Sequence, residues 1–472
     1  METFFLPLQQ HFILLYFYCM RIAMFSDCYY PRVNGVVVSV YSFVQELVNR
    51  GHVVKVITVE YPDDYEFNKK NGASMGVIDS PNFSLNRLSS KEIIFSKEDR
   101  LVRLKQWHIL KGILDEFQPD ILHINSEWLV GYFGAMYAHH RKVPCIFTFH
   151  TLWEDYIQNY APILREKISK KIGRDIVKFY LKTANHILAP TPQTAQTVRK
   201  YGINTPVELL PTGIPDSMFK VDKVRVEKMR EEVFEGFPQL KDRRILLFAG
   251  RVAKEKNLPF LLPVLKRVNQ LLEKDVASAN EFAVDSSASS TKRAALLVAG
   301  DGNFMQDLKD LVEQQQLTQD VFYLGYVERD DLASLYHLAD VFTFPSKTET
   351  QGLVTVEAMA AGLPVVAIGE MGTMDVMQGD NGGFMVPEDV EIFSQKVYQL
   401  LTNDTLYQEK SQEGRAWSKR WGMAALTDRL EVAYATCIAD HRAGKKTGGS
   451  ELDKALSATT VLTIIGLGYI FG

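Results

Sequence analysis

Cysteine is scarce in this chain of 472 residues: the four present, Cys19, Cys28, Cys145 and Cys437, stand far apart with no C-x-x-C pair. That excludes a disulfide framework and a structural zinc site, and it fits a reducing cytoplasm. An excess of either charge is missing too, and a net charge of −4 gives no global reason to expect nucleic acid as a partner. The first stretch, METFFLPLQQHFILLYFYC, is apolar but lacks the basic start and small-residue cleavage site of a signal peptide, and reads as a leader or start-site extension ahead of Met20. Long apolar runs are absent with one exception. Ala455 to Gly472 carries no charged side chain behind a basic flank, HRAGKK, and just reaches the roughly 18 residues of a candidate membrane span. Its three glycines weaken a helix, so a C-terminal apolar anchor and a flexible tail both stay open.

A chain this long exceeds what one core usually supports, so two domains are expected. From Arg21 onward short apolar runs alternate with amphipathic stretches, the pattern of an α/β fold with parallel sheets and crossover helices. IAMF, VVKVITV, ILHI, VPCIFTF, HILA and VELL read as strands of a first series, and ILLFAG, ALLVAG, VFYLG, VFTFP and VVAI as a second. Between the first two strands Val37, Val40, Phe43, Val44, Leu47 and Val48 share one helical stripe that Gly51 closes. The expected organisation is an apolar leader (1–19), an N-terminal domain (20–215), a C-terminal domain (216–442) and an apolar tail (443–472). Residues 275–292, rich in Ser and Ala, read as a surface insertion after a helix ending near Lys274.

Three segments carry chemistry. In FAGRVAKEKN, Arg251 and Lys256 beside a glycine turn suit a diphosphate, although a solvated loop would read the same way. In VAGDGNFMQDL, Met305 stands where a dinucleotide fingerprint needs its third glycine, so Gly300 and Gly302 read as a tight turn. In SKTETQGLVTVEAMAAGLPVVA, the spacing of Leu353, Val356 and Ala360 predicts a helix starting near Gly352, with Glu349 in the loop ahead and Glu357 one turn inside. The backbone N–H groups of Gly352, Leu353 and Val354 would then offer an anion site at the positive end of the helix dipole.

Together with PTGIP, VFYLGYV, FSDCYYPRVNGV and FTFH, these segments occur in the order that resembles the retaining family-4 glycosyltransferases. The resemblance implies a GT-B fold, two Rossmann-like domains facing across a cleft, and transfer of a hexose from a nucleotide sugar. It implies that Glu349 holds donor-sugar hydroxyls, that Glu357 binds the nucleotide ribose, and that Arg251 and Lys256 grip the diphosphate. Gly35 would face that diphosphate from the first domain, His150 would lie beside the donor sugar, and the backbone of Val327 would meet the base. No D-x-D sequence is present, which fits basic residues in place of a metal and no required cofactor.

FHTLWEDYIQNY is similar to a segment of bacterial diacylglycerol glucosyltransferases in the same family, which implies UDP-glucose as donor, 1,2-diacylglycerol as acceptor and glycolipid synthesis. Trp153, Tyr156 and Tyr160 would flank the lipid headgroup or simply fill core. Downstream, Lys167, Lys171, Arg174, Lys178 and Lys182 recur at helical spacing opposite Ile168, Ile172, Ile176 and Phe179. That face is either an ordinary solvated one or a contact with an anionic membrane at about 1 kcal/mol per basic residue, which would make the protein peripheral to the inner face of the cell membrane. Other readings are a galactose donor, a phosphatidylinositol or glycan acceptor, an epimerase, or a nucleotide-sugar-binding scaffold.

Overall fold

The structure, a computed structural model, describes residues 19–32, 34–62, 76–93, 96–150, 166–282, 293–349, 351–370 and 372–445. The leader up to residue 18, Trp153, Tyr156 and Tyr160, and the tail from residue 446 therefore lie outside the described residues. Two compact units are formed: one runs to Gly213 and includes the stretch from Met423, the other is Ile214–Gly422.

The first unit begins with β1 (Arg21–Phe25), α1 (Gly35–Asn49), β2 (Val53–Val59) and β3 (Phe83–Leu88). After an antiparallel ribbon of β4 (Ser90–Ile93) and β5 (Ser96–Val102) come α2 (Gln106–Phe117), β6 (Ile121–Ile124), α3 (Leu129–Arg141) and β7 (Cys145–Thr148). It continues through α4 (Glu166–Thr183), β8 (His186–Ala189), α5 (Pro192–Lys200) and β9 (Val207–Leu209). Seven strands form a parallel sheet in the order β3-β2-β1-β6-β7-β8-β9. Buried on both faces, β1, β6 and β7 are largely apolar, interrupted inside the sheet by His123 and Thr148, which hydrogen-bond each other. α1 shows why its residues fold locally: the Asn34 side chain accepts from the Val37 amide at 2.9 Å, the predicted stripe is buried, and Gly51 at φ +89° follows the last turn.

In the second unit, α6 (Lys223–Gly236), β10 (Arg244–Ala249), α7 (Leu261–Phe282), β11 (Ala294–Ala299) and α8 (Met305–Gln314) are followed by β12 (Val321–Gly325) and α9 (Arg329–Leu338). Then come β13 (Val341–Phe344), α10 (Leu353–Ala361), β14 (Val365–Ile368), α11 (Gly372–Met377), β15 (Gly383–Val386), α12 (Val390–Thr402) and α13 (Asp404–Ser418). The sheet is parallel with order β12-β11-β10-β13-β14-β15. Its order reverses between β10 and β13, whose following loops are therefore the place where an open α/β sheet receives a ligand.

Two boundaries differ from expectation. α7 does not stop near Lys274 but runs to Phe282, because Ala277, Ala279 and Glu281 are good helix formers; Tyr398 Oη also donates to Asp275 in the helix. The final helix, α14 (Met423–Arg442), leaves the 216–442 domain and belongs to the first unit. There it buries Leu426, Leu430, Tyr434 and Ile438 in the same cluster as Val40, Val44 and Leu47 of α1. Among the described residues no helix is long and apolar enough to cross a membrane.

Candidate functional site

In the second unit the ends of β10 and β11 lie so close that side chains would collide. A Cβ at Gly300 would stand 1.9 Å from the Gly250 carbonyl oxygen, and one at Gly302 would stand 2.2 Å from that of Val252. Amides of Gly250 and Val252 donate to Ala299 and Asp301 at 2.9 and 3.0 Å, zipping the two loops together. The glycines of VAGDG thus serve close backbone packing, as a tight turn requires.

These loops carry the two cations. Arg251 is exposed and pairs with Glu255. Lys256 ends a short 3₁₀ turn before Asn257, which is left-handed at φ +57°. Its Nζ lies 2.5 Å from Glu349 Oε2, the side chains being only 17% and 19% exposed. Glu349 is anchored by its backbone as well, since Gly372 N–H donates to its carbonyl at 2.8 Å. The structure therefore joins Lys256 to Glu349 rather than to Arg251.

Three residues further on, Gly352 adopts φ +61° and starts α10. Thr355 and Val356 amides return to the Gly352 carbonyl at 3.0 and 3.4 Å, so the amides of Leu353 and Val354 precede the first intrahelical bond. Glu357 is not a helix-surface acid: it is 6% exposed, and Tyr336 Oη on α9 donates to its Oε2 at 3.1 Å. Val327 follows β12, half-buried against the core of this unit.

The first unit brings its own residues to the ends of β6 and β7. His150 Nε2 lies 3.3 Å from Asn125 Oδ1. Two residues back along each strand, His123 Nε2 meets Thr148 Oγ1 at 2.6 Å, while His123 Nδ1 meets Tyr434 Oη at 2.7 Å. Burial pushes His150 down to about 4; burial and then the neighbouring His150 push His123 down to about 3. Both imidazoles are neutral at pH 7. At the end of β1, burial lifts Asp27 to about 6, against hydrogen bonds from Ser126 and the Val130 and Gly131 amides at the start of α3. Gly35 is the first residue of α1 and not a left-handed loop glycine; a Cβ there would meet nothing within 4 Å.

On α4, Lys167, Lys171 and Arg174 are exposed, and Lys178 lies 5.6 Å over the Tyr201 ring. The isoleucine stripe is only partly core. Ser169, Gly173, Ile176 and Tyr180 form the buried line, Ile172 is half-buried and Ile168 is 48% exposed.

Asn125, Asp27 and Tyr336 are absent from the candidates drawn from the sequence. Asn125 follows His123 by two, the strand spacing that puts both on one face, and this was a usable signal. Tyr336 and Asp27 gave none.

Comparison with known proteins matches these features. Residues 33–217 match the model for "Glycosyltransferase Family 4" and residues 229–417 that for "Glycosyl transferases group 1", together more than three quarters of the chain. The chain is 28% identical over 351 residues to the alpha-monoglucosyldiacylglycerol synthase of Streptococcus pneumoniae, covering 74% of this chain and 71% of the relative. It is equally 28% identical over 351 residues to the synthase of that name from Acholeplasma laidlawii, covering 74% and 80%. Among solved structures, Anabaena HepE in complex with UDP superposes with a TM-score of 0.60 at 14% identity, covering 88% and 99%. A glycosyltransferase from Rickettsia africae gives 0.61 at 15% identity, covering 88% and 98%. Two parallel-sheet α/β units of this kind define the GT-B class. The chain belongs to the family-4 glycosyltransferases, and its activity is that of a hexosyltransferase.

Proposed function

We propose that this protein transfers glucose from UDP-glucose to the free hydroxyl of 1,2-diacylglycerol at an anionic membrane surface, with retention at the anomeric carbon. The observation that carries the donor half is Lys256 held at 2.5 Å from Glu349 just ahead of the α10 start. A cation and the amides at a helix N-terminus suit the diphosphate of a nucleotide sugar, and a carboxylate suits its sugar hydroxyls. HepE's solution as complexes with UDP and with UDP-glucose supports the same donor class. The acceptor rests on likeness to the two synthases and on the exposed basic residues of α4.

In the step itself the bond from the anomeric carbon to the diphosphate oxygen breaks, and the glyceride oxygen bonds to the same face. The hydroxyl proton passes to the departing diphosphate. Lys256, Arg251 and the amides of Gly352, Leu353 and Val354 neutralise the charge that develops on that leaving group, and this stabilisation is the main catalytic contribution. Glu349 holds the sugar, Glu357 the ribose, the Val327 backbone the base, and Gly35 leaves room for the diphosphate. His150, neutral and held by Asn125, orients the sugar. No metal or cofactor is required.

The test is transfer of label from UDP-glucose into vesicles holding diacylglycerol with and without anionic lipid, in the presence of a chelator. Label in the lipid supports the reading. Release of a new free nucleotide sugar identifies an epimerase, turnover only with UDP-galactose corrects the donor, and binding without turnover leaves a scaffold.

A further inference from the structure

We infer that Tyr336 is a positioning residue that sets how strictly the site distinguishes ribose from deoxyribose, acting through Glu357. The inference rests on the reading of Glu357 as the ribose carboxylate. A glutamate has three rotatable bonds, and hydrogen bonds to ribose hydroxyls are directional, so its carboxylate discriminates only if its orientation is fixed before the nucleotide arrives. Tyr336 supplies the fixed point. Its ring is 1% exposed and packs edge-on against Phe342 of β13 at 5.6 Å between centroids, which leaves the phenol no freedom to follow a moving partner. From there Oη donates to Glu357 Oε2 at 3.1 Å across the α9 and α10 packing.

The carboxylate is itself 6% exposed, and in such low-dielectric surroundings a hydrogen bond to a charged acceptor is stronger than in water. A tyrosine placed only to fill the core would have no reason to aim its one polar atom at a candidate ligand-binding acid. α9 also begins two residues after Val327, on the segment read as meeting the base. One short element would thus line the base with its leading loop and orient the ribose acid from its last turns.

The probes are UDP and 2′-deoxy-UDP, with affinities measured by calorimetry on the full chain. Wild-type protein should prefer UDP by about tenfold, the worth of one hydrogen bond to a charged group. Tyr336→Phe should shrink that ratio roughly threefold or more while binding to 2′-deoxy-UDP changes little, and should add nothing in a Glu357→Gln background, because the two residues act in series. A ratio intact in Tyr336→Phe but collapsed in Glu357→Gln overturns the inference and leaves the ribose reading standing. A ratio intact in Glu357→Gln overturns both. Should Tyr336→Phe fail to fold, Glu357→Asp keeps the charge and withdraws the carboxylate by one methylene; a lost ratio supports positioning, and an unchanged ratio overturns it.

Discussion

Lys256 and Glu349 pair with each other, and on the proposed reading a donor would exchange part of that pairing for its own diphosphate and hydroxyls. Both side chains keep some solvent contact. With most of each side chain out of water, desolvation offsets much of the attraction and the pair's net contribution to stability is small, whereas a charge-assisted bond to a diphosphate is worth roughly 1.5–3 kcal/mol. The two magnitudes separate the roles. Lys256→Ala should lower kcat/KM about ten- to hundredfold, and Lys256→Met combined with Glu349→Gln, which leaves no bare carboxylate behind, should barely move the melting temperature; a large thermal shift in that double variant would mark the pair as structural.

The buried titratable groups of the first unit make a second prediction. The unfolded chain protonates histidine near 6.5, but folded His150 resists to about 4 and His123 to about 3, so their contribution to stability is lost as pH falls from 6.5 through those values. Asp27 acts oppositely. Its folded value is raised to about 6 from 3.8, so its contribution grows as pH falls through that window and offsets part of the loss. Denaturant midpoints between pH 7 and 4 should fall for wild type and fall less steeply in His150→Asn. Lys256 and Glu349 were legible as candidates through the resemblance of FAGRVAKEKN and SKTETQGLVTVE to the family's motifs, since a cation beside a glycine turn reads alone as an ordinary loop. Tyr336 was not, because an aromatic in LASLYHL reads as core, and the bond that gives it a role exists only once α9 packs on α10.

At the scale of elements, legibility followed burial. VVKVITV, ILHI, HILA and VVAI became strands with the bounds their apolar runs suggested, since inner parallel strands are buried on both faces. FSLNRL carries no clear strand signal because β3 is an edge strand, half-buried along nearly its whole length. β15 is silent in the sequence because GFMV is short and begins with glycine. The helix α4 was legible in its charge and misjudged in its rotation: Ile168 faces solvent beside Lys167 and Lys171, an apolar residue among cations that suits an anionic bilayer better than water. Charge reversal of Lys167, Lys171 and Arg174 should abolish sedimentation with anionic vesicles while UDP affinity stays within about twofold; vesicle binding that survives excludes this face. The paired loops after β10 and β11 make a sharper demand. Gly300→Ala would bring a methyl against the Gly250 carbonyl at φ +141°, so the variant should lose UDP binding and unfold at lower temperature, by about 2 kcal/mol or more.

For the whole molecule, the position of α14 determines what holds the first unit together. The helix lies at the far end of the sequence, yet Arg50 Nη1 reaches Asp428 and Glu431 at 2.6 and 2.7 Å, Arg50 Nη2 reaches the Ala424 carbonyl at 2.7 Å, and His52 Nε2 lies 2.7 Å from Glu431. Beneath these bonds Leu426, Leu430, Tyr434 and Ile438 bury against α1 and the sheet. No reading of local pattern could assign them there, because partners nearly four hundred residues apart leave no mark in either stretch. At about 1.5–3 kcal/mol for each buried side chain, the four together rival the 5–15 kcal/mol that separates a folded domain from its unfolded chain. Ending the chain at Gly422 should therefore unfold the first unit and spare the second. Leu430→Ala, expected to destabilise by about 2–5 kcal/mol, gives the graded version. In native-state hydrogen exchange its loss of protection should fall on β1, β6 and α1, with β10, β11 and β13 unchanged; losses concentrated in the second unit would return α14 to that unit.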